Sequence, residues 1–185
     1  MTPRPATTRD RLISSAARLF RQNGYHGTGL ALVLADSHAP KGSLYHHFPA
    51  GKSDLAMAAA SWVSEGMIGI IDDAFTGSDS FSNGATTFCH KLAKLFDVAD
   101  YWQSCPITAM LFDGPDNDEF RNHADKILTS WSASVAEHGR RLGMDTDKAD
   151  AASELLLMTI QGAWTIARAR KSADIIRRIP IHLYG

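Results

Sequence analysis

The chain has only two cysteines in 185 residues, Cys89 and Cys105, and they form no Cys-x-x-Cys pair. That spacing gives neither a metal site nor a dithiol redox motif. Buried, reduced thiols are the reading, with redox sensing as the alternative. His90, His123, His138 and His182 show no His-x-x-x-His or His-Glu-x-x-His spacing, and no Walker or Rossmann glycine pattern occurs. Ser43 and Ser53 have histidines nearby in sequence but lie in no nucleophile elbow. No metal, cofactor or catalytic residue is expected, and the chain does not read as an enzyme. Long apolar runs are missing too, since none approaches the roughly 18 residues that span a bilayer. The start, Met-Thr-Pro-Arg-Pro-Ala-Thr-Thr, lacks the apolar core of a secretory signal. A cytoplasmic protein with no membrane partner is the expectation. Strict apolar–polar alternation and internal repeats are also absent, which argues against strands and solenoids.

What is present is helical punctuation. Residues 1–6 are Pro-rich and read as an arm. A first helix is predicted from Thr8 to Asn23, with Thr7 and Asp10 as a capping pair. Leu12, Ile13, Ala16, Ala17 and Phe20 form its apolar stripe, and Asn23-Gly24 ends it. After the break Pro49-Ala50-Gly51, helical patterns run over 52–75 and 81–97. A short segment starts at Cys105-Pro106 and runs through Phe112, and Gly114-Pro115 breaks it. Two long helices follow, Asp118 to Leu142, stopped by Gly143, and Asp147 to Arg170, capped by Thr146. A last one, Ala173 to Ile179, ends at Pro180. The fold class is therefore all-α, with about nine helices. Apolar residues at 44% and charged ones at 21% suit one large helical core or two small ones.

Acid is scarce at one end. Residues 1–60 hold seven Lys or Arg and three Asp, a balance of 7 − 3 = +4, while the rest carries 12 − 17 = −5. The overall charge of −1 hides a basic head on an acidic body, the footprint of a protein that docks DNA with one end.

The segment from Gly24 to Phe48 lies in that head and reads as two short helices joined by a tight turn. Leu30, Val33 and Leu34 give the first its apolar face, and Thr28 can cap its start. Pro40 suits the first turn of the second helix. Leu44 and Phe48, four apart, anchor that helix inward and leave Lys41, Ser43, Tyr45 and His46 partly outward. The three helices pack around Leu12, Ala16, Phe20, Tyr25, Val33, Leu44 and Phe48. A solvated polar face is the ordinary reading of such a helix, but spacing, upstream helix and local charge favour DNA.

The ending Lys-Gly-Ser-Leu-Tyr-His-His-Phe closely resembles the recognition helix of TetR-type transcriptional repressors, with Lys41, Gly42, Leu44, Tyr45, His47 and Phe48 in the family's places. Over residues 8–55 the resemblance is residue-specific, and over 56–185 it rests on helix order and spacing. The run on through Pro-Ala-Gly-Lys-Ser-Asp-Leu, with a later Cys-Pro-Ile, is similar to the LmrA-like, drug-responsive branch. One position departs from the pattern: the turn carries His38 where the family has glycine, so a positive φ with some strain is expected there. The resemblance implies a helix-turn-helix DNA-binding domain over 1–50 and a ligand-binding and dimerisation domain over 51–185. The DNA-binding set is Arg9, Thr28, Lys41, Gly42, Ser43, Tyr45, His46, His47 and Lys52. In it Arg9, Lys41, Lys52 and the Tyr45 hydroxyl would hold phosphates, and Ser43 and His46 would read the groove. His47 is either a contact or a structural hydrogen-bonder.

The body gathers large planar and flexible side chains, and all four tryptophans lie outside the head. Core packing is the bland reading. Glycine interruptions at Gly66, Gly69 and Gly162 favour an apolar ligand cavity, with Trp62, Met67, Phe88, Trp102, Met110, Trp131 and Trp164 as its expected lining. Small residues on the last two long helices (Ser130, Ser134, Gly139, Ala149, Ala152, Ser153, Gly162, Ala163) suit either internal packing or the four-helix dimer interface that the family uses. The sequence thus reads as a homodimeric, ligand-responsive repressor whose partners are double-stranded operator DNA, a small hydrophobic ligand and itself. A small helical enzyme or carrier with an apolar pocket is the alternative.

Overall fold

The computed structural model describes residues 7–98, 105, 107–112 and 118–185. Among them are nine α-helices, one π-helical turn and no strand. The helices are α1 (Thr8–Gly27), α2 (Leu30–Ser37), α3 (Lys41–His47), α4 (Lys52–Phe75), α5 (Phe81–Val98), α6 (Asp118–Arg141), α7 (Thr146–Arg170), α8 (Asp174–Arg177) and α9 (Ile179–Tyr184), with the π turn at Thr108–Phe112. The chain divides into two compact units, Met1–Val63 with Cys105–Asp125, and Ser64–Ser104 with Lys126–Gly185.

In the first unit α1 opens with a reciprocal capping box. The Asp10 N–H donates to the Thr7 hydroxyl at 3.2 Å and the Thr7 N–H to the Asp10 carboxylate at 3.0 Å. Gly24, at φ +71°, breaks the helical run where the sequence placed its stop, and one irregular turn carries on to Gly27. Leu12, Ala16, Phe20, Val33 and Leu44 are fully buried, with Tyr25 and Phe48 nearly so. These are the residues predicted to form the three-helix core. The π turn also packs on α1, burying Ile107, Met110 and Leu111.

Thr28 corrects one expectation. Gly29, not Thr28, is the N-cap of α2, and no side chain caps that end. The Thr28 hydroxyl is buried and turned back, donating to the carbonyls of Leu19 at 3.1 Å and Gly24 at 2.9 Å. Carbonyls freed where glycine breaks a helix need a donor, and the nearest buried hydroxyl supplies it.

In the second unit α5 turns Phe88, Cys89, Leu92 and Phe96 inward, and α8 and α9 pack against α5 and α7. Burial pushes the Cys89 thiol up to about 12, so it stays protonated at neutral pH. The cap of α7 lies one residue before the predicted Thr146: the Asp145 carboxylate accepts from the Lys148 N–H at 3.0 Å. The C-terminal segment also differs from expectation. It forms two short helices, and Pro180 sits in the first turn of α9 instead of ending a helix. Proline costs nothing there because the first N–H groups of a helix have no intrahelical partner.

By length and composition α4 is the one described helix that could cross a bilayer, although no continuous apolar run suggests it. Leu55, Ala56, Ala59, Ala60, Ile71, Ala74 and Phe75 are buried within the protein, while Glu65, Asp72 and Asp73 are exposed along the same helix.

Candidate nucleic-acid interface

The recognition-type helix α3 is short and held from beneath by two side chains. Leu44 and Phe48 are buried, and the Phe48 N–H closes the last turn on the Leu44 carbonyl at 2.8 Å. Pro40 is the N-cap and not the first helical residue, with the Ser43 N–H donating to its carbonyl at 3.0 Å. The turn before it is made by His38 at φ 50°, ψ 35°, the left-handed conformation that favours glycine. The His38 and Ala39 N–H groups close back on Ala35 and Leu34, stopping α2. A non-glycine residue accepts this at a modest steric cost.

With Leu44 and Phe48 fixed inward, Lys41, Gly42, Tyr45 and His46 fall on the exposed side. A side chain at Gly42 would meet nothing within 4 Å, so the backbone there is open to close approach. The Tyr45 ring is 56% exposed, yet one edge rests near Gly51, where an added Cβ would lie 3.5 Å from Cε1. Ser43 is half-buried and its hydroxyl donates to the Pro40 carbonyl at 2.6 Å, so readout would require it to share or leave that bond. His47 is half-buried, packed edgewise between His46 and Phe48.

Two further cations flank this row on aromatic faces. The Arg9 guanidinium lies 5.7 Å from the centre of the Phe48 ring, and the Lys52 ammonium 4.4 Å from that of Tyr25. Partial burial lowers the Lys52 pKa from its ordinary value. Thr28, by contrast, presents no side-chain atom to solvent and leaves the set of possible contacts.

Sequence reasoning missed the network that fixes α2 on α1. Asp36 accepts from the Ser15 hydroxyl and pairs with the Arg18 guanidinium. The Ser15 bond, then Arg18, holds the Asp36 carboxyl below its ordinary range. No motif announces it, because residues 15 and 36 meet only once α2 has turned back.

The expected ligand-lining residues differ in exposure. Phe88, Met110 and Trp131 are buried, Met67 and Trp164 partly so, Trp62 is 50% exposed, and Trp102 lies outside the described residues. Within the second unit Trp131 donates its indole N–H to the Ser64 hydroxyl at 2.9 Å, and Trp164 meets Phe96 edge to face at 5.2 Å. The glycine-gap reasoning is overturned. Gly66, Gly69 and Gly162 all face outward with nothing within 4 Å of an added Cβ, so they open no interior space.

A short anchored helix with a polar outer row, preceded by a tight turn and two packed helices, defines a helix-turn-helix protein. Residues 12–59 match the family described as bacterial regulatory proteins, tetR family. Residues 83–182 match the family described as transcriptional regulator LmrA/YxaF-like, C-terminal domain. The chain belongs to the TetR family of transcriptional regulators, in its LmrA/YxaF-like branch. Both families are of regulators, not enzymes.

Among curated relatives, the HTH-type transcriptional regulator LmrA of Bacillus subtilis is 29% identical over 173 residues, covering 93% of this chain and 92% of its own. The uncharacterized HTH-type regulator Rv0196 of Mycobacterium tuberculosis is also 29% identical, covering 92% and 90%. A TetR regulator from Legionella pneumophila superposes with a TM-score of 0.79 at 18% identity, covering 98% of each chain. FadR of Bacillus subtilis, solved with stearoyl-CoA, does so at 0.71 and 14%, covering 93% of each chain. At these identities the structures establish the fold alone.

Proposed function

We propose that the protein is a ligand-responsive repressor that binds operator DNA as a homodimer, with residues 1–50 as the DNA-binding domain and 51–185 holding ligand and partner. The observation that carries this is the outer row Lys41, Gly42, Tyr45 and His46 on a helix pinned by Leu44 and Phe48. Such a row offers a cation, an open backbone, a phenol and an imidazole without an acid among them, which suits a polyanion's groove. Arg9, Lys41, Lys52 and Tyr45 take phosphates, while His46 and a released Ser43 reach base edges. His47 supports the helix from its half-buried position.

Dimerisation is supported by α7. Its exposed residues Ala151, Leu155, Met158, Gly162 and Ile166 follow helical spacing along one face. Leu155 is 49% exposed and Met158 60%. Beside them α6 and α7 border an open groove of about 860 Å³, half of whose lining is apolar (among it Leu128, Ala151, Leu157 and Met158) and half polar, with Asp150 and Glu154 in it. A long helix that leaves an apolar stripe uncovered suits a second copy, and a dimer places two recognition helices about one DNA turn apart, roughly 34–36 Å. Of the small residues on these helices, Gly139, Ala149, Ser153 and Ala163 are buried and serve internal packing, whereas Gly162 stands on the stripe.

The ligand is a small hydrophobic molecule taken up in the body, the aromatic set Trp62, Met67, Phe88, Trp102, Met110, Trp131 and Trp164 supplying its lining. FadR, with the same fold, was solved holding an acyl-CoA. Ligand and DNA then bind with negative, reciprocal coupling. The test is fluorescence anisotropy with DNA from upstream of the protein's own gene. About four phosphates neutralised per subunit give a slope of log K against log salt of about −7 for the dimer. A slope near zero, or no binding, would end this reading.

A further inference from the structure

We propose that Tyr25 is a positioning residue for DNA binding, its ring face holding the Lys52 ammonium where a phosphate takes it up. The proposal rests on the reading of Lys52 as a phosphate contact. Tyr25 is only 8% exposed and its ring is fixed from several sides. Phe20 stacks on it at 5.7 Å with planes 16° apart, and Phe120, from the first turn of α6, meets it edge-on at 5.5 Å. The Lys52 Nζ lies 4.4 Å from the ring centre. Among the described residues no carboxylate pairs with Lys52. The ammonium is therefore held by the π face alone, leaving its charge uncompensated for an incoming anion.

Physical chemistry favours this over a salt bridge at the same place. A lysine paired with a carboxylate must break that pair to take a phosphate, and a free one must lose the freedom of a four-carbon stem. A π face restrains the stem and keeps the net charge, so the contact forms with fewer losses. Partial burial of the ammonium acts in the same direction, since poorer solvation before binding leaves less hydration to shed. Arg9, seated on Phe48 at the other flank of α3, uses the same arrangement.

The experiment measures operator affinity and its salt slope for variants of the full chain. Lys52→Ala should lower affinity and make the slope shallower by about 2 for the dimer. Tyr25→Phe keeps the π face and should bind within about twofold of the parent. Pentafluorophenylalanine at position 25 keeps the ring's shape but reverses its quadrupole, and should cost the dimer about 5- to 30-fold. That loss should vanish when Lys52→Ala is already present. Because the fluorinated ring keeps the aromatic outline with only a modest gain in size, the test needs no truncation of this buried side chain. A fluorinated variant that binds like Tyr25→Phe, or whose loss adds fully to that of Lys52→Ala, overturns the proposal while leaving Lys52 a contact. Lys52→Ala with unchanged affinity and slope removes the contact, and the proposal with it.

Discussion

Helices α3 and α7 use one packing device and finish it with opposite chemistry. In α3, Leu44 and Phe48 lock a seven-residue helix from below, and what remains outward is polar and free of acid. In α7, Leu156, Ile160, Ala163 and Ala167 face the core, and what remains outward includes Leu155, Met158 and Ile166. Neither outer face is needed for folding. A polar row on α3 and an apolar stripe on α7 suit different partners under the function proposed above, a nucleic acid for the first and a second copy for the second. Exposure alone would not separate them, because the stripe is as solvent-accessible as the row. The chemistry of the exposed atoms does.

The largest effect should come from breaking the apolar side of this contrast. Met158→Glu places a carboxylate on the stripe of each copy. The variant should sediment as a monomer and lose operator affinity by about a hundredfold or more, since linked half-sites bind far better than single ones. A variant that keeps the parent's mass moves the interface elsewhere. On the polar side, Tyr45→Ala or Lys41→Ala should weaken operator binding by roughly 30-fold for the dimer, counting about 1 kcal/mol per subunit. Mass and thermal midpoint should hold, as both side chains stand outside the core. Anisotropy that shows parent-like affinity for either variant strikes that residue from the contacts.

A smaller effect belongs to the join between α1 and α2. The Asp36 carboxyl lies below its ordinary range because the Ser15 hydroxyl, and then Arg18, favours its charged form. A lowered carboxylate adds stability above the ordinary carboxylate range and loses it as pH falls through the lowered value. Asp36→Asn should therefore unfold at a lower denaturant concentration than the parent at neutral pH. The two should converge in acid, as the pH falls through that lowered value. A gap of equal size at both values would assign the loss to packing instead of charge.

How much of this was legible in the sequence follows the same division. The capping box at Thr7, the stop at Gly24, the core of α1 to α3 and the bounds of α4 all rest on local rules, and local rules survive without tertiary knowledge. The turn at His38 was readable from the resemblance, whose pattern has glycine at that place. Three things were not. Thr28 carries a capping residue's chemistry, and only the break at Gly24 decides that its hydroxyl turns backward. Ser15 and Asp36 are 21 residues apart and meet through the path of the chain. The outward course of Gly66, Gly69 and Gly162 depends on which face of each helix is covered, and a glycine in sequence does not say whether it opens a cavity or faces water.

His38 also offers the finest test of the contrast, because it belongs to the polar end yet is strained for geometry alone. Its φ of 50° and ψ of 35° put a Cβ where only glycine avoids a steric cost. Its backbone N–H closes toward Ala35 and that of Ala39 toward Leu34, so the conformation is imposed by the stop of α2 and the start of α3. His38→Gly relieves the clash but frees the unfolded chain, and these act against each other. The net should be a gain of up to about 1 kcal/mol, seen as a small rise in the thermal midpoint. His38→Ala keeps a Cβ and removes the imidazole, so it should show no such rise. A glycine variant no more stable than the alanine one would mean that the left-handed turn carries no net strain. If the glycine variant is more stable yet binds operator as the parent does, the residue serves the turn and not the groove.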